Sequence, residues 1–140
     1  MLPLARLALS AALCAAPALA QEAGRWGPAL DDPGRYHGLY DSPEGDTWFV
    51  AESEPPMGME MQIPPGHLMI GATFGDVAPY FLRTESETRF LRPGYNEYNP
   101  DIVVEFDLPD TGPATALSFT FGDREPESWV RTGDLPESWQ

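Results

Sequence analysis

The apolar residues of this chain recur at every second position almost throughout, and prolines interrupt the pattern at short intervals. Alternation at period two is typical of strands with one buried face, whereas an amphipathic helix repeats every 3.6 residues. Fourteen of the 16 prolines follow residue 20, and a proline in a helix interior removes a backbone hydrogen bond. No long stretch carries a convincing helical pattern. The sequence therefore predicts an all-β protein.

Clusters of turn residues separate the alternating segments into eight or nine candidate strands. The strongest signal lies at 102–108, where Ile102, Val104 and Phe106 share one face. The other candidates are 36–40, 47–51, 57–63, 68–74, 78–83, 87–92, 117–121 and 128–132. Their short connections favour antiparallel neighbours. With no helix to cover the apolar face, the strands must form a small antiparallel β-barrel or a flattened β-sandwich.

The first 20 residues have the layout of a secretory signal peptide. Arg6 precedes a short apolar run, and Ala18-Leu19-Ala20 is a small-x-small cleavage site. The run is too short to cross a bilayer as a helix, which takes about 20 residues. We therefore expect cleavage after Ala20, a mature protein without a membrane span, and a periplasmic or secreted location. A lipoprotein anchor at Cys14 is the weaker alternative, because Leu13 stands where a small residue is usual.

Cleavage at this site leaves 120 of the 140 residues, enough for one compact domain. The expected organisation is a signal peptide at 1–20, an extended N-terminal segment at 21–34, a single β-domain at 35–132 and a C-terminal tail at 133–140. Within the extended segment, Trp26 is expected to pack against the edge of the domain. Cys14 is the only cysteine, so the mature domain has no disulfide.

The charge balance narrows the classes of partner. The chain has 22 acidic residues and eight arginines, has no lysine, and carries a net charge of −14. Loss of Arg6 on cleavage changes this value to −15. A surface this acidic repels phosphate groups, so nucleic acid is excluded as a natural partner. Cations and basic protein surfaces are attracted instead.

Four pieces of sequence share a pattern with a known family. They are Tyr36-His37-Gly38-Leu39-Tyr40, then Gly66-His67-Leu68-Met69-Ile70, then the segment from Tyr80 to Phe90, and last Ile102 to Asp107 followed by Gly112, Leu117-Ser118-Phe119 and Arg131. Together they resemble the lipocalin-like all-β domain at the C-terminal end of β-lactamase-related serine hydrolases. The hydrolase itself is absent, since its S-x-x-K motif needs a lysine. The resemblance thus implies a fold and a binding or docking role, not an activity.

Candidate chemical motifs have simpler structural interpretations. Asp110-Thr111-Gly112 matches the aspartic-protease triplet, but it occurs once, and a hairpin turn explains it better. His37 and His67 lack a nucleophile elbow and any metal-ligand spacing, so triad or zinc chemistry has little support. The acidic loops 41–46 and 96–101 lack the EF-hand spacing, which leaves calcium binding open. We predict no catalytic residue, no metal and no cofactor.

Methionines at 57, 59 and 61 alternate at strand period, which favours core or pocket lining over copper binding. A barrel of eight strands encloses a space that its own side chains fill or that holds one small ligand. The expected interior comprises Trp48, Met59, Met61, Ile70, Phe74, Leu82, Val104, Phe106, Phe119 and Phe121.

Three functions follow from this interior and from the tail. The first is a non-enzymatic binding or accessory protein, whose barrel holds a small hydrophobic ligand. The second is an interaction module that works with a separate secreted hydrolase, with Trp139 in the tail as an anchor for that partner. The third is a hydrolase of unrecognised type. For Trp139 itself, the favoured interpretation is that the tail folds back and the ring closes one end of the barrel.

Overall fold

The structure is a computed structural model, and it describes residues 24–53, 63–75 and 77–139. These residues form nine strands and two short 3-10 helices, at Pro33–Tyr36 and Glu137–Trp139, and they include no α-helix. The strands are β1 (Gly38–Asp41), β2 (Thr47–Glu52), β3 (Leu68–Ala72), β4 (Tyr80–Phe81), β5 (Arg83–Thr84), β6 (Arg89–Arg92), β7 (Ile102–Asp107), β8 (Ala116–Phe121) and β9 (Glu127–Gly133).

All strand pairs are antiparallel, and the sheet order is β4-β3-β2-β1-β9-β8-β7-β6-β5. Apart from β4 and β5, strands that follow each other in the chain are therefore neighbours, and β9 returns to pair with β1. The two ends of this order belong to one short segment, because only Leu82 separates β4 from β5. Its first half pairs with β3 and its second half with β6. The sheet thus curves into a nearly closed barrel, and the predicted all-β antiparallel barrel is confirmed.

The core follows directly from the period of two. On β7, Ile102, Val104 and Phe106 are buried in the interior, while the residues between them are partly or fully exposed. Phe106 meets the ring of Tyr36 edge-on at 5.0 Å and that of Phe90 at 5.4 Å. These rings fill the interior at their level of the barrel. Other buried core residues are Tyr40, Val50, Leu68, Ile70, Leu82, Ala114, Leu117, Phe119 and Trp129.

The candidate strand at 57–63 lies almost wholly outside the described residues, and Ile63, which is described, is not in a strand. A second difference concerns Phe74, which was expected to face the interior. β3 ends at Ala72, and a bend over 73–75 with Gly75 at φ 70° follows. Alternation therefore stops before Phe74, whose side chain is 48% exposed.

The barrel has two ends that differ in their cover. At the end called here the base, the first 3-10 helix places Tyr36 against the core, and Arg35 O accepts a hydrogen bond from Ala114 N at 2.8 Å. At the opposite end, called here the mouth, β2 and β9 begin and β8 ends. Trp48, Phe121 and Glu127 lie there. The site described below is at the mouth.

Candidate ligand site at the mouth of the barrel

An open pocket of about 230 Å³ lies at the mouth of the barrel. Its lining combines aromatic rings from three strands with charged residues from the β8–β9 turn and the start of β9. We call it the mouth pocket, and its lining residues are Trp48, Tyr80, Phe119, Phe121, Arg124, Glu125 and Glu127.

Stacked aromatic rings form the deep side of this pocket. Phe119 on β8 stacks on Trp129 of β9, with ring centroids 4.4 Å apart and the planes at 13°. Trp48 contacts both rings, at 5.1 Å from Trp129 and 6.3 Å from Phe119. Offset-stacked rings of this kind contribute about 0.5–1.5 kcal/mol beyond the area they bury. The cluster therefore gives the mouth pocket a rigid apolar wall.

Strand register explains why these rings meet. Leu117 and Phe119 on β8 face inward, and the antiparallel β9 sets Trp129 opposite Leu117 and Glu127 opposite Phe119. The β8–β9 turn is fixed by Gly122 at φ 59°, whose N–H donates to Asp101 O at 2.8 Å. A Cβ at Gly122 would stand 3.0 Å from the ring of Pro100. Glycine thus lets this turn pack closely beside the mouth pocket.

The polar side of the mouth pocket carries both charges. Trp129 Nε1 donates to Glu127 Oε2 at 3.0 Å, which satisfies the indole of a buried ring and orients the carboxylate. The Arg124 guanidinium carbon lies 5.4 Å from the centroid of the Phe121 ring, within the range of a cation–π contact. Apolar walls with a few fixed polar groups are the usual lining of a small-ligand site.

The structure brings together only some of the residues predicted to line the interior. Trp48, Phe119 and Phe121 line the mouth pocket, whereas Leu82 and Phe106 are buried deeper in the core. Phe74 contacts the Trp48 ring edge-on at 6.1 Å from its exposed position. Met59 and Met61 lie outside the described residues.

Sequence reasoning missed the polar half of the mouth pocket and one of its rings, that of Tyr80. In the sequence, Tyr80 and Leu82 are two positions apart and share a strand face, which is the signal that could have indicated this ring. Trp129, on β9 behind these rings, is buried. Arg124 and Glu127 gave no signal, because turn residues and the first residue of a strand carry no apolar alternation.

The two histidines lie at the base, away from the mouth pocket, and both have backbone partners. His37 Nε2 accepts the N–H of Glu52 at 2.9 Å, and burial lowers the pKa of this imidazole. His67 is buried with Nδ1 3.0 Å from Pro64 O and Nε2 2.9 Å from Gly27 O. These contacts tie chain segments together, and nothing in them arranges a nucleophile.

The acidic loops and the DTG triplet can also be placed. Within residues 24–53, 63–75 and 77–139, no group of three or more His, Cys, Asp or Glu side chains is arranged to hold a metal ion. Asp110-Thr111-Gly112 lies in the connection between β7 and β8, as expected for a turn, with Gly112 at φ 88°. Arg35 Nε donates to Gly112 O at 3.0 Å and so fastens this turn to the base.

Trp139 folds back onto the barrel, but at neither of its ends. Its ring meets that of Phe49 edge-on at 5.4 Å. Phe49 alternates with the inward-facing Trp48 and Val50, so it lies on the outer face of β2. Trp139 therefore covers an outer patch and remains 50% exposed. Its predicted closure of a barrel end does not occur in the structure.

Comparisons with known proteins add no assignment to this geometry. No helix of the described residues is both long and apolar enough to cross a membrane. No protein-family model, curated protein or solved structure matches the chain.

Proposed function

We propose that this chain is a non-enzymatic periplasmic or secreted binding protein that holds a small apolar ligand in its mouth pocket. The observation that carries the proposal is the open aromatic wall of Trp48, Phe119 and Phe121 at one end of an otherwise packed barrel, with the buried Trp129 stacked behind it. Burial of a ligand against these rings removes apolar surface from water, which contributes about 25 cal/mol per Å².

The volume limits the size of the ligand. At the bulk share of about 30 Å³ per water molecule, the mouth pocket of about 230 Å³ holds about eight waters. This is below the about 300–1,000 Å³ of pockets for drug-sized ligands. A single ring or a short alkyl chain is therefore the expected occupant, rather than a long lipid running through the barrel, whose centre is filled by Tyr40, Phe90 and Phe106.

The proposal includes a lipocalin-like architecture. An up-and-down order supports it, because lipocalins close eight strands in this way: each strand pairs with the next except β4 with β5, and β9 pairs with β1. The filled interior is a departure from a deep ligand cup. In our proposal, the ligand site of this barrel therefore lies at its mouth and not at its centre.

Binding can be tested with benzyl alcohol as the probe. Native mass spectrometry of protein purified without detergent reports a retained ligand as an extra mass that is lost on denaturation. Titration with benzyl alcohol is expected to change the tryptophan fluorescence, since Trp48 and Trp129 line or adjoin the pocket. Phe121→Ala should weaken this binding about fivefold or more, because most of one ring contact is lost.

The matched control is Phe49→Ala. It removes a ring of the same size from β2, next to Trp48 in the chain but on the outer face of the barrel. It should leave the affinity for benzyl alcohol unchanged within about twofold. No saturable fluorescence change in the wild type, together with a bare mass in the native spectrum, would remove the support for a ligand-binding function. Equal weakening by both variants would place the probe elsewhere.

A further inference from the structure

A second open groove lies beside the mouth pocket and shares Tyr80 with it. Its volume is about 570 Å³. The N-terminal segment forms one wall, β4 and β5 form the floor, and the end of β6 with the following loop forms the other wall. We call it the arginine groove, and its principal lining residues are Arg25, Trp26, Phe81, Arg83, Arg92 and Tyr95.

The charge of the arginine groove is opposite to that of the chain. Three of the eight arginines line it, and none of its lining residues in the described part of the chain is acidic. The whole chain has 22 acidic residues and a net charge of −14. A cationic site without carboxylates on such a surface is a local reversal of the field, which repels anions elsewhere on the molecule.

Arg92 supplies a positive charge that the protein does not neutralise. Its Nη2 donates to Pro100 O at 3.1 Å, and its guanidinium carbon lies 4.9 Å from the centroid of the Tyr80 ring. Its Nε is buried and has no hydrogen-bond partner in the described part of the chain. No carboxylate among the described residues forms an ion pair with it. Arg92 thus retains a positive charge that no described carboxylate pairs with.

Arg25 adds a second positive charge that no described carboxylate pairs with. It lies over the Trp26 ring, 5.5 Å from the centroid, and no described carboxylate forms an ion pair with it. Trp26 O accepts the N–H of Thr84 at 2.9 Å, which fixes this wall against β5. Arg83 differs, because Glu85 lies 3.5 Å away and balances its charge. Arg25 and Arg92 are therefore the two guanidinium groups open to an external anion.

Aromatic rings accompany these charges. Trp26, Tyr80, Phe81 and Tyr95 all line the arginine groove, and Tyr95 is 75% exposed. Exposed rings offer flat apolar faces on which a planar ligand can stack. Guanidinium groups bind carboxylates and related oxyanions with charge-assisted hydrogen bonds.

From this combination we infer that the arginine groove binds a small organic anion with a flat, apolar body. Arg25 and Arg92 receive the anionic group, and the aromatic walls receive the ring. The arginine groove is a separate site from the mouth pocket, because apart from Tyr80 it has its own lining residues. It attracts anions, whereas the rest of the acidic surface repels them. Its affinity should fall as salt is added, since the anion is held by exposed charges.

The test is isothermal titration calorimetry of the full chain with 1-naphthoate, compared with the uncharged 1-naphthalenemethanol. Wild-type protein should bind 1-naphthoate about tenfold or more tightly than the alcohol, because the charge-assisted contacts contribute only to the anion. Arg25→Gln should weaken naphthoate binding about fivefold to tenfold, and Arg92→Gln should weaken it by about the same factor. Arg25 is exposed, so its variant keeps the test valid even where Arg92→Gln impairs folding.

Arg89→Gln is the matched control, since it removes the same charge from the same strand as Arg92 but does not line the arginine groove. It should change the affinity for naphthoate less than about twofold. Equal affinity for the acid and the alcohol, an equal loss in Arg89→Gln, or no binding at millimolar concentration would overturn the inference. A loss in Phe121→Ala without a loss in Arg25→Gln would move naphthoate to the mouth pocket, and only the groove site would then be rejected.

Discussion

The base and the mouth are the two ends of one barrel, but their aromatic side chains differ in burial and hydrogen bonding. At the base, Tyr36 is 2% exposed and its hydroxyl donates to Glu87 O, while Tyr40 donates to Tyr36 O at 2.8 Å. At the mouth, Trp48 and Phe121 keep part of their rings exposed, and an open pocket lies over them. Both of these tyrosine rings at the base are thus packed and hydrogen-bonded, whereas the mouth leaves apolar surface in water. Stability explains the packing at the base, and the proposed ligand binding would account for the apolar surface at the mouth.

The sharpest way to break this comparison is to remove one ring that packs on Tyr36 of the base and one ring at the mouth. Phe106, which is 4% exposed, contacts Tyr36, Tyr40 and Phe90. Phe106→Ala should lower the free energy of unfolding by about 3–5 kcal/mol, the usual cost of a cavity left by a phenylalanine. Phe121→Ala at the mouth should lower it by about 1 kcal/mol, because its ring is already partly hydrated. Urea unfolding followed by circular dichroism measures both, and losses of equal size would contradict the comparison.

Two arginine substitutions, one at the base and one at the mouth, test the same comparison with a smaller expected effect. Arg35 at the base donates to Gly112 O and to Pro109 O, so it bridges the first 3-10 helix and the β7–β8 connection. Arg35→Ala should cost about 1.5–2 kcal/mol, since hydrogen bonds to a charged group are lost. Arg124→Ala at the mouth, which loses one exposed cation–π contact to Phe121, should cost about 0.5 kcal/mol. Urea unfolding measures both costs. An Arg124 variant less stable than the Arg35 variant would mean that the mouth, and not the base, is held by its arginine.

The sequence was sufficient to predict which side chains fill the packed part of the barrel, but not which ones surround its open end. Val104 and Phe106 could be placed in the interior, because a strand alternates its faces wherever it is continuous. Phe74 could not, since its position depends on the residue at which β3 ends, and the apolar pattern runs past that point. The residue at which a strand ends depends on whether the backbone continues to pair with its neighbour or forms a turn. The alternation of side chains does not indicate that residue.

The arginine groove shows a second limit of the sequence. Trp26 was expected at the edge of the domain, but a backbone hydrogen bond from Thr84 N to Trp26 O selects which edge. No side-chain pattern encodes that contact. Arg92 likewise lies two positions after the buried Phe90 on β6, and the apolar pattern of the sequence does not mark a charged residue at that position. Sites made by contacts between distant segments therefore need the three-dimensional structure.

Acidification should weaken the base more than the mouth, through His37. Its Nε2 accepts the N–H of Glu52, which only a neutral imidazole can do, and burial lowers its pKa below the ordinary 6.5. The folded protein therefore favours the neutral form. The stability that His37 contributes is fully present above its ordinary pKa and is lost as the pH falls towards the lower pKa of the folded state.

The variant His37→Gln isolates this contribution. A glutamine Oε1 can accept the same N–H but does not titrate. Between about pH 7 and about pH 5, the free energy of unfolding should fall less steeply for His37→Gln than for the wild type. Chemical unfolding at several pH values measures the two slopes. Parallel slopes would mean that carboxylates alone govern the acid response and that His37 does not fasten the base.

The smallest expected effect concerns the charge at the mouth. In Glu127→Gln the side-chain oxygen can still accept the hydrogen bond of Trp129 Nε1, so the aromatic wall should keep its geometry. The free energy of unfolding should change by less than about 1 kcal/mol, since a charge-assisted bond is replaced by a neutral one. Affinity for benzyl alcohol should stay within about twofold of the wild type, because an uncharged ligand gains little from a carboxylate at the rim. A large loss of stability in this variant would show that the mouth, like the base, is held by a polar network, and the contrast between the two ends would then fail at its weakest point.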